Sequence, residues 1–167
     1  MNANENIRVR NATIGDLDRL AEIEREAFPP LEAASKPSLK YRLENFPEYI
    51  FVGECQGKIV GAVICRPTDK KKIVDELYEP EPIPFGKTSA VFSVITDLQY
   101  RHQAVAETIL NFAIDDMKTK GMERMTLTCK EQLVHYYAKF GFAYQGLSQS
   151  VHGGAVWYDM TLELLTQ

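Results

Sequence analysis

Two short segments hold the residue types and spacings best suited to chemistry. The first runs from Ser93 to Leu110: an apolar strand-like stretch, a tight link, then a helical run. The link reads Arg101-His102-Gln103-Ala104-Val105-Ala106. A helix starting there presents main-chain N–H groups without intrahelical acceptors and the positive end of its dipole, both of which favour a phosphate or pyrophosphate. The small side chains of Ala104 and Ala106 let an anion approach the backbone, and Arg101 and His102 add actual or potential positive charge. A junction of this kind can also be packing alone. The second segment is Tyr136-Tyr137-Ala138-Lys139-Phe140-Gly141-Phe142. Tyr137 stands about one turn before the helix end, where its hydroxyl can give a proton. Gly141 suits the left-handed residue that ends a helix. Taken alone, an aromatic-rich helix is equally a core element.

The other reactive side chains form no pattern. Cys55, Cys65 and Cys129 lie in apolar stretches without a CxxC pair, so they read as buried free thiols of a reducing compartment. His102, His135 and His152 show no metal-ligand spacing, and no metal is expected.

The elements that must position these segments follow from periodicity and punctuation. Ile7–Asn11 reads as a strand. Thr13 and Asp16 open a helix that runs to about Phe28 and stops at Pro29-Pro30. A short helix over 38–45 precedes a hairpin, with strands 49–54 and 58–66 around a Gln56-Gly57 turn. Residues 67–87 form a long polar connection carrying Lys70, Lys71 and Lys72, a solvated loop tip or a phosphate contact. A strand over 89–96, apolar on both faces, reads as central. A helix over 105–120, a strand over 124–129, a helix over 131–140 and strands over 142–146 and 155–164 complete the chain. The order β-α-α-β-β-β-α-β-α-β-β mixes hairpins with a strand–helix–strand crossover. It predicts one α/β domain over residues 1–167, a mixed sheet with helices on both faces.

Composition bounds the function. With 167 residues, 45% hydrophobic and 25% charged, the chain is sized and composed as a globular domain. The net charge of 19 − 23 = −4 leaves no basic surplus for a nucleic-acid partner. No apolar run is long enough to span a bilayer, and no signal peptide is visible, so a cytoplasmic protein without membrane partner is expected.

Together, and in this order, the two segments resemble those of the GCN5-related N-acetyltransferases. Arg101–Ala106 is similar to their pyrophosphate loop, [R/Q]-x-x-G-x-[G/A], and Tyr137–Phe142 to their Y-x-[K/R]-x-G-F segment. The order of elements extends the resemblance from about Ile7 to Leu164. Thr128-Cys129-Lys130, Val134-His135-Tyr136-Tyr137, His152-Gly153-Gly154 and Trp157-Tyr158 resemble the serotonin (arylalkylamine) N-acetyltransferase branch most closely. The resemblance implies the GNAT fold, with the strand ending at Thr96 splayed from the 124–129 strand. It implies acetyl-coenzyme A as co-substrate, with its pantetheine arm along Val94, Ile95 and Thr96 and its pyrophosphate on Arg101, His102, Gln103, Ala104, Val105 and Ala106. A primary amine would attack the thioester directly, a backbone N–H near Val94 or Ile95 would polarise the carbonyl, and Tyr137 would protonate the leaving thiolate.

The sequence departs from the pattern in two places. Ala104 stands where the family has glycine, and His102 where a small residue is common. In the arylalkylamine branch two histidines of the central strand assist amine deprotonation; Ala90 and Phe92 align there. Asp97, His152 or a water chain is the substitute base. The acceptor pocket is expected from Phe28, Pro29, Trp157 and Tyr158, with Tyr78 and Phe85 as further aromatic candidates. A small aryl or alkyl amine is the expected acceptor. The alternatives are a protein or peptide acceptor and a non-catalytic acyl-coenzyme A sensor on the same fold. A homodimer is among the expected assemblies.

Overall fold

The structure, a computed structural model, describes residues 6–165. The strands are β1 (Arg8–Asn11), β2 (Ile50–Cys55), β3 (Lys58–Thr68), β4 (Thr88–Thr96), β5 (Arg124–Cys129), β6 (Ala143–Leu147) and β7 (Tyr158–Glu163). The helices are α1 (Leu17–Ala27), α2 (Lys36–Asn45), α3 (Val105–Thr119) and α4 (Val134–Ala138). The strands form one seven-stranded sheet in the order β1-β2-β3-β4-β5-β7-β6. The β4–β5 pair is parallel, bridged by the α3 crossover, while β1–β2, β2–β3, β5–β7 and β6–β7 are antiparallel. This is the mixed α/β architecture that the order of elements predicts.

The chain divides into two compact units: the described residues to Cys65 with Ser93–Ala113, and Arg66–Phe92 with the residues from Ile114 onward. In the first unit the period-2 alternation of β2 decides which helix meets which face. Ile50 and Val52 join Leu20, Ile23, Leu39 and Leu43 of α1 and α2 in one buried cluster. Phe51 and Gly53 point the other way, toward α3, with the Phe51 and Phe112 rings 5.9 Å apart. Local chemistry starts the helices, α2 two residues earlier than the expected Ser38. The Asp16 carboxylate accepts from the Thr13 N–H at 2.8 Å, and the Ser35 hydroxyl accepts from the Ser38 N–H at 3.2 Å.

In the second unit, β5 and β7 pair over their whole lengths, from Arg124 opposite Glu163 to Cys129 opposite Tyr158. One face carries Cys129, Met160 and Leu162 and receives α4: a Cβ on Gly141 would meet Leu162 at 3.1 Å. The other face carries Ala90, Thr126, Thr128, Asp159 and Thr161. The 69–87 connection covers it through Ile73 and Leu77, which cluster with Ala90. That connection is tied down rather than loose. The buried Arg66 guanidinium donates to the carbonyls of Leu77 and Glu79, each at 2.9 Å, and to that of Glu81.

Two expectations need correction. The helix over 131–140 is a 3-10 turn (Glu131–Leu133) followed by the short α4. The last strand begins at Tyr158 rather than 155, because residues 152–154 turn, with Gly153 at φ 64°.

Candidate functional site

In the first unit the chain leaves β4 through a turn at Leu98–Tyr100 and enters α3 at Val105. His102 (φ 64°) and Ala104 (φ 60°) are both left-handed. That conformation is disfavoured for a residue with a Cβ and routine for glycine, so the geometry explains why a small residue or glycine suits these positions. Left-handed residues beside right-handed ones turn successive N–H groups to one side and make an anion-binding concavity. The Ala104 carbonyl accepts from the Thr108 N–H at 3.1 Å and from its hydroxyl at 2.7 Å, which fixes the first turn of α3. Arg101 and His102 are exposed, Gln103, Ala104 and Ala106 are half-buried, and Val105 is buried.

Gly61 sets the depth of this loop. A Cβ there would lie 2.8 Å from the Ile95 carbonyl oxygen and 2.8 Å from Val105 Cγ1. A strand glycine that admits another element is a recognisable signal, and sequence reasoning passed over it. Ile95 is buried in the α1–α2 cluster, and Val94 and Thr96 are half-buried. The β4–β5 ladder runs from Thr88–Arg124 to Val91–Leu127, although β4 continues to Thr96 and β5 to Cys129.

Asp97, the first candidate base, is buried and occupied. Its carboxylate accepts from the Gln99 N–H at 2.8 Å, pairs with Arg19 and lies 3.7 Å from the Lys58 ammonium. Burial alone would raise its pKa, but the Gln99 N–H, Arg19 and Lys58 outweigh that and hold it below the usual carboxylate range. A carboxylate so stabilised is a weak proton acceptor, and these contacts make Asp97 an anchor for the loop. Phe28 caps α1 and packs on the α1–α2 cluster; the Pro29 carbonyl accepts from the N–H groups of Glu32 and Ala33. Sequence reasoning also missed Glu24, a buried carboxylate that accepts from the Ser93 hydroxyl at 2.7 Å.

In the second unit Tyr137 is buried on α4, its ring edge-on to Tyr136 (5.1 Å) and Phe142 (6.1 Å). Burial raises its hydroxyl pKa well above the ordinary phenol value, helped by Tyr136 and Cys129. The same burial pushes the Cys129 thiol up to about 11. Gly141, at φ 101°, ends the α4 turn, and the Phe142 N–H donates back to the Tyr137 carbonyl.

His152, the second candidate base, stacks on Tyr78 with centroids 4.3 Å apart, and its carbonyl accepts from the Trp157 indole N–H at 2.8 Å. Trp157 is buried under the Lys130 ammonium, and Tyr158 is half-buried with its ring 6.0 Å from Tyr144. Asp75 accepts from the Ser150 hydroxyl and the Val151 N–H. The 69–87 connection is thus latched to the 148–157 loop at two points. Among the described residues no cluster could hold a metal ion, and no helix is long and apolar enough to cross a membrane.

A left-handed loop at the head of a long helix, entered from the end of β4, is the feature this fold offers to an anion. The chain belongs to the acetyltransferase (GNAT) family, whose sequence model matches residues 17–142. Over 54 residues, 32% of the chain, it is 33% identical to the probable hydrolase YhcX of Bacillus subtilis (strain 168). The matched stretch is 10% of that relative's length. The fold is similar to the loading GNATL domain of CurA from Lyngbya majuscula (TM-score 0.80, 14% identity, 95% of this chain and 98% of that one). It is similar to the GphF GNAT-like decarboxylase in complex with isobutyryl-CoA (TM-score 0.80, 19% identity, 95% and 100% covered). The PaiA N-acetyltransferase of Thermoplasma acidophilum, in complex with coenzyme A, superposes with a TM-score of 0.70 at 18% identity, with 94% and 98% covered.

Proposed function

We propose that the chain is an acetyl-coenzyme A-dependent N-acetyltransferase whose acceptor is a small primary amine. The observation that carries this reading is the left-handed backbone at His102 and Ala104 at the head of α3. A strained loop at a helix start has a physical use if its N–H groups serve an anion. Coenzyme A supplies an acyl thioester and a diphosphate. The N–H groups of His102–Ala106 would hold the diphosphate, and the main chain of Val94–Thr96 the pantetheine amides.

Tyr137 would give its proton to the departing sulfur. At ordinary values the transfer from a phenol (~10) to a thiolate (~8.5) is uphill by about 2 kcal/mol. Burial changes both sides of that balance. The neighbouring Cys129 shows what these surroundings do to a thiol, pushing it up to about 11. Burial raises the Tyr137 phenol as well, so the transfer stays uphill and depends on the phenol being held against the departing sulfur. No cysteine nucleophile is needed.

Tyr78, Phe92 and Ile73 pack together on the Ala90 face, and their aromatic character supports an aryl or alkyl amine, as in the arylalkylamine branch. Three buried free cysteines fit a reducing cytoplasm. Isothermal titration with acetyl-coenzyme A, followed by thiol release across a panel of primary amines and peptides, tests the reading. Absence of acetyl-coenzyme A binding refutes it. Binding without thiol release favours an acyl-coenzyme A sensor, and release with peptides alone favours a protein acceptor.

A further inference from the structure

A cluster of four charged side chains in the first unit meets at the start of the loop that enters α3. Asp97 is its centre. The Asp97 N–H donates to the Val60 carbonyl at 2.8 Å, and the carboxylate caps the 98–100 turn through the Gln99 N–H. Burial works against the charge of this carboxylate, but the Gln99 N–H, Arg19 and Lys58 outweigh it, so the group is ionised at neutral pH. Arg19 of α1 donates to the carboxylate, and its Nε and Nη2 atoms also donate to the Ile59 carbonyl at 3.1 and 2.9 Å. The same guanidinium pairs with the exposed Glu22. The Lys58 ammonium stands 3.7 Å from Asp97 and 6.0 Å from the centre of the Tyr100 ring.

A loop whose N–H groups take a diphosphate is poorly served by a carboxylate at its start. Asp97 orders the turn, yet its negative charge repels the anion that the loop receives. Arg19 and Lys58 each carry a positive charge, and Asp97 and Glu22 each a negative one, so the cluster sums to zero. Without Arg19, two carboxylates would face one ammonium. The Ile59 carbonyl holds the guanidinium independently of Asp97, so Arg19 keeps its place whether or not the aspartate is charged.

We propose that Arg19 is a positioning residue for the diphosphate of coenzyme A that acts through its charge: it cancels Asp97, so that the loop keeps the aspartate's cap without its repulsion. The inference rests on the coenzyme A reading above. Arg19 acts through the carboxylate rather than by contact with the phosphates. This role and simple anchoring predict opposite results at Asp97. If the Arg19–Asp97 pair only held the loop in place, removing the charge of Asp97 would loosen the loop and weaken binding. If Arg19 cancels a repulsive charge, removing that charge tightens binding. In D97N the amide oxygen can still accept from the Gln99 N–H, and the Ile59 carbonyl still holds Arg19.

The test uses full-length 15N-labelled protein. The amide signals of His102–Ala106 are followed on titration with inorganic pyrophosphate, and acetyl-coenzyme A affinity is read by calorimetry. At low salt R19M is expected to weaken both ligands by about 10-fold, and by less at high salt. D97N is expected to tighten both by a similar factor. R19K, which keeps the charge but not the fork, and R19M/D97N, in which the cluster again sums to zero, are expected to bind as wild type does. R19M equal to wild type, R19K as weak as R19M, or no recovery in R19M/D97N overturns the proposal. If R19M does not fold, D97N decides, because affinity equal to or weaker than wild type overturns it. Wild type that takes pyrophosphate at the loop but not acetyl-coenzyme A refutes the proposed function, and Arg19 is then judged on pyrophosphate alone. His102–Ala106 signals that do not move with pyrophosphate overturn the inference.

Discussion

Replacing Ala104 with glycine is expected to stabilise the protein, against the usual direction of that change. An alanine-to-glycine substitution ordinarily costs about 0.5–1 kcal/mol, because glycine loses more backbone freedom on folding. At Ala104 the native φ is 60°, and a left-handed residue with a Cβ costs about 1–2 kcal/mol that glycine does not incur. The difference favours A104G by about 0.5–1 kcal/mol. For a chain of this size that is about 1–4 °C in Tm.

Ala106 provides the control, because it undergoes the same chemical change two residues on, inside α3. A106G should lose about 0.5–1 kcal/mol, so the two variants are expected to move in opposite directions. Urea denaturation of wild type, A104G and A106G reads both. The strain is present in the protein without ligand, so relieving it alone leaves coenzyme A affinity unchanged. A tighter A104G complex would mean in addition that the methyl group crowds the anion. A104G destabilised as much as A106G would refute the argument, since it would show that the loop has no left-handed residue at 104.

Y137F is expected to retain acetyl-coenzyme A affinity and to lower kcat by about 10²–10⁴-fold, read by thiol release; unchanged turnover would remove Tyr137 from the chemistry. G61A puts a Cβ 2.8 Å from the Ile95 carbonyl oxygen and from Val105 Cγ1, so it should cost about 1–3 kcal/mol in urea and weaken acetyl-coenzyme A binding in titration. R66M strips donors from the carbonyls of Leu77, Glu79 and Glu81, and limited proteolysis should then cut within residues 69–86 while wild type resists. The Asp97 pKa is depressed in the folded state, so its contribution to stability is present above the unfolded carboxylate value near ~4 and is lost as pH falls through the folded value. Urea titrations below pH 4 on wild type and D97N should accordingly converge.

The fold was legible because its signals are local and repeated. The alternation in β2, the capping pair Thr13 and Asp16, and the Gln56-Gly57 turn (φ 53° and 79°) each fix an element without tertiary help. The loop was legible for the same reason, as a strand–helix junction with small residues. The strain in it was only half visible: sequence raises the question of a missing glycine at Ala104, while coordinates show that the backbone takes the glycine conformation anyway. α4 was overextended because an apolar, aromatic run does not distinguish 3-10 from α-helical turns.

The surroundings of the candidate base were hidden for a different reason. A carboxylate's usefulness as a proton acceptor depends on what surrounds it, and those neighbours come from distant parts of the chain. Asp97 stands at the end of the central strand, where sequence position favours it, yet Arg19, 78 residues away, occupies it and lowers its basicity. Asp159 looks unremarkable in a strand of mixed polarity. Its burial and unpaired Oδ1 follow only from the β5–β7 register and the cover that Arg66 holds in place. Between these two aspartates the cost of the ionised form differs: three partners lower it at Asp97, whereas at Asp159 burial outweighs Ser148 and Lys72.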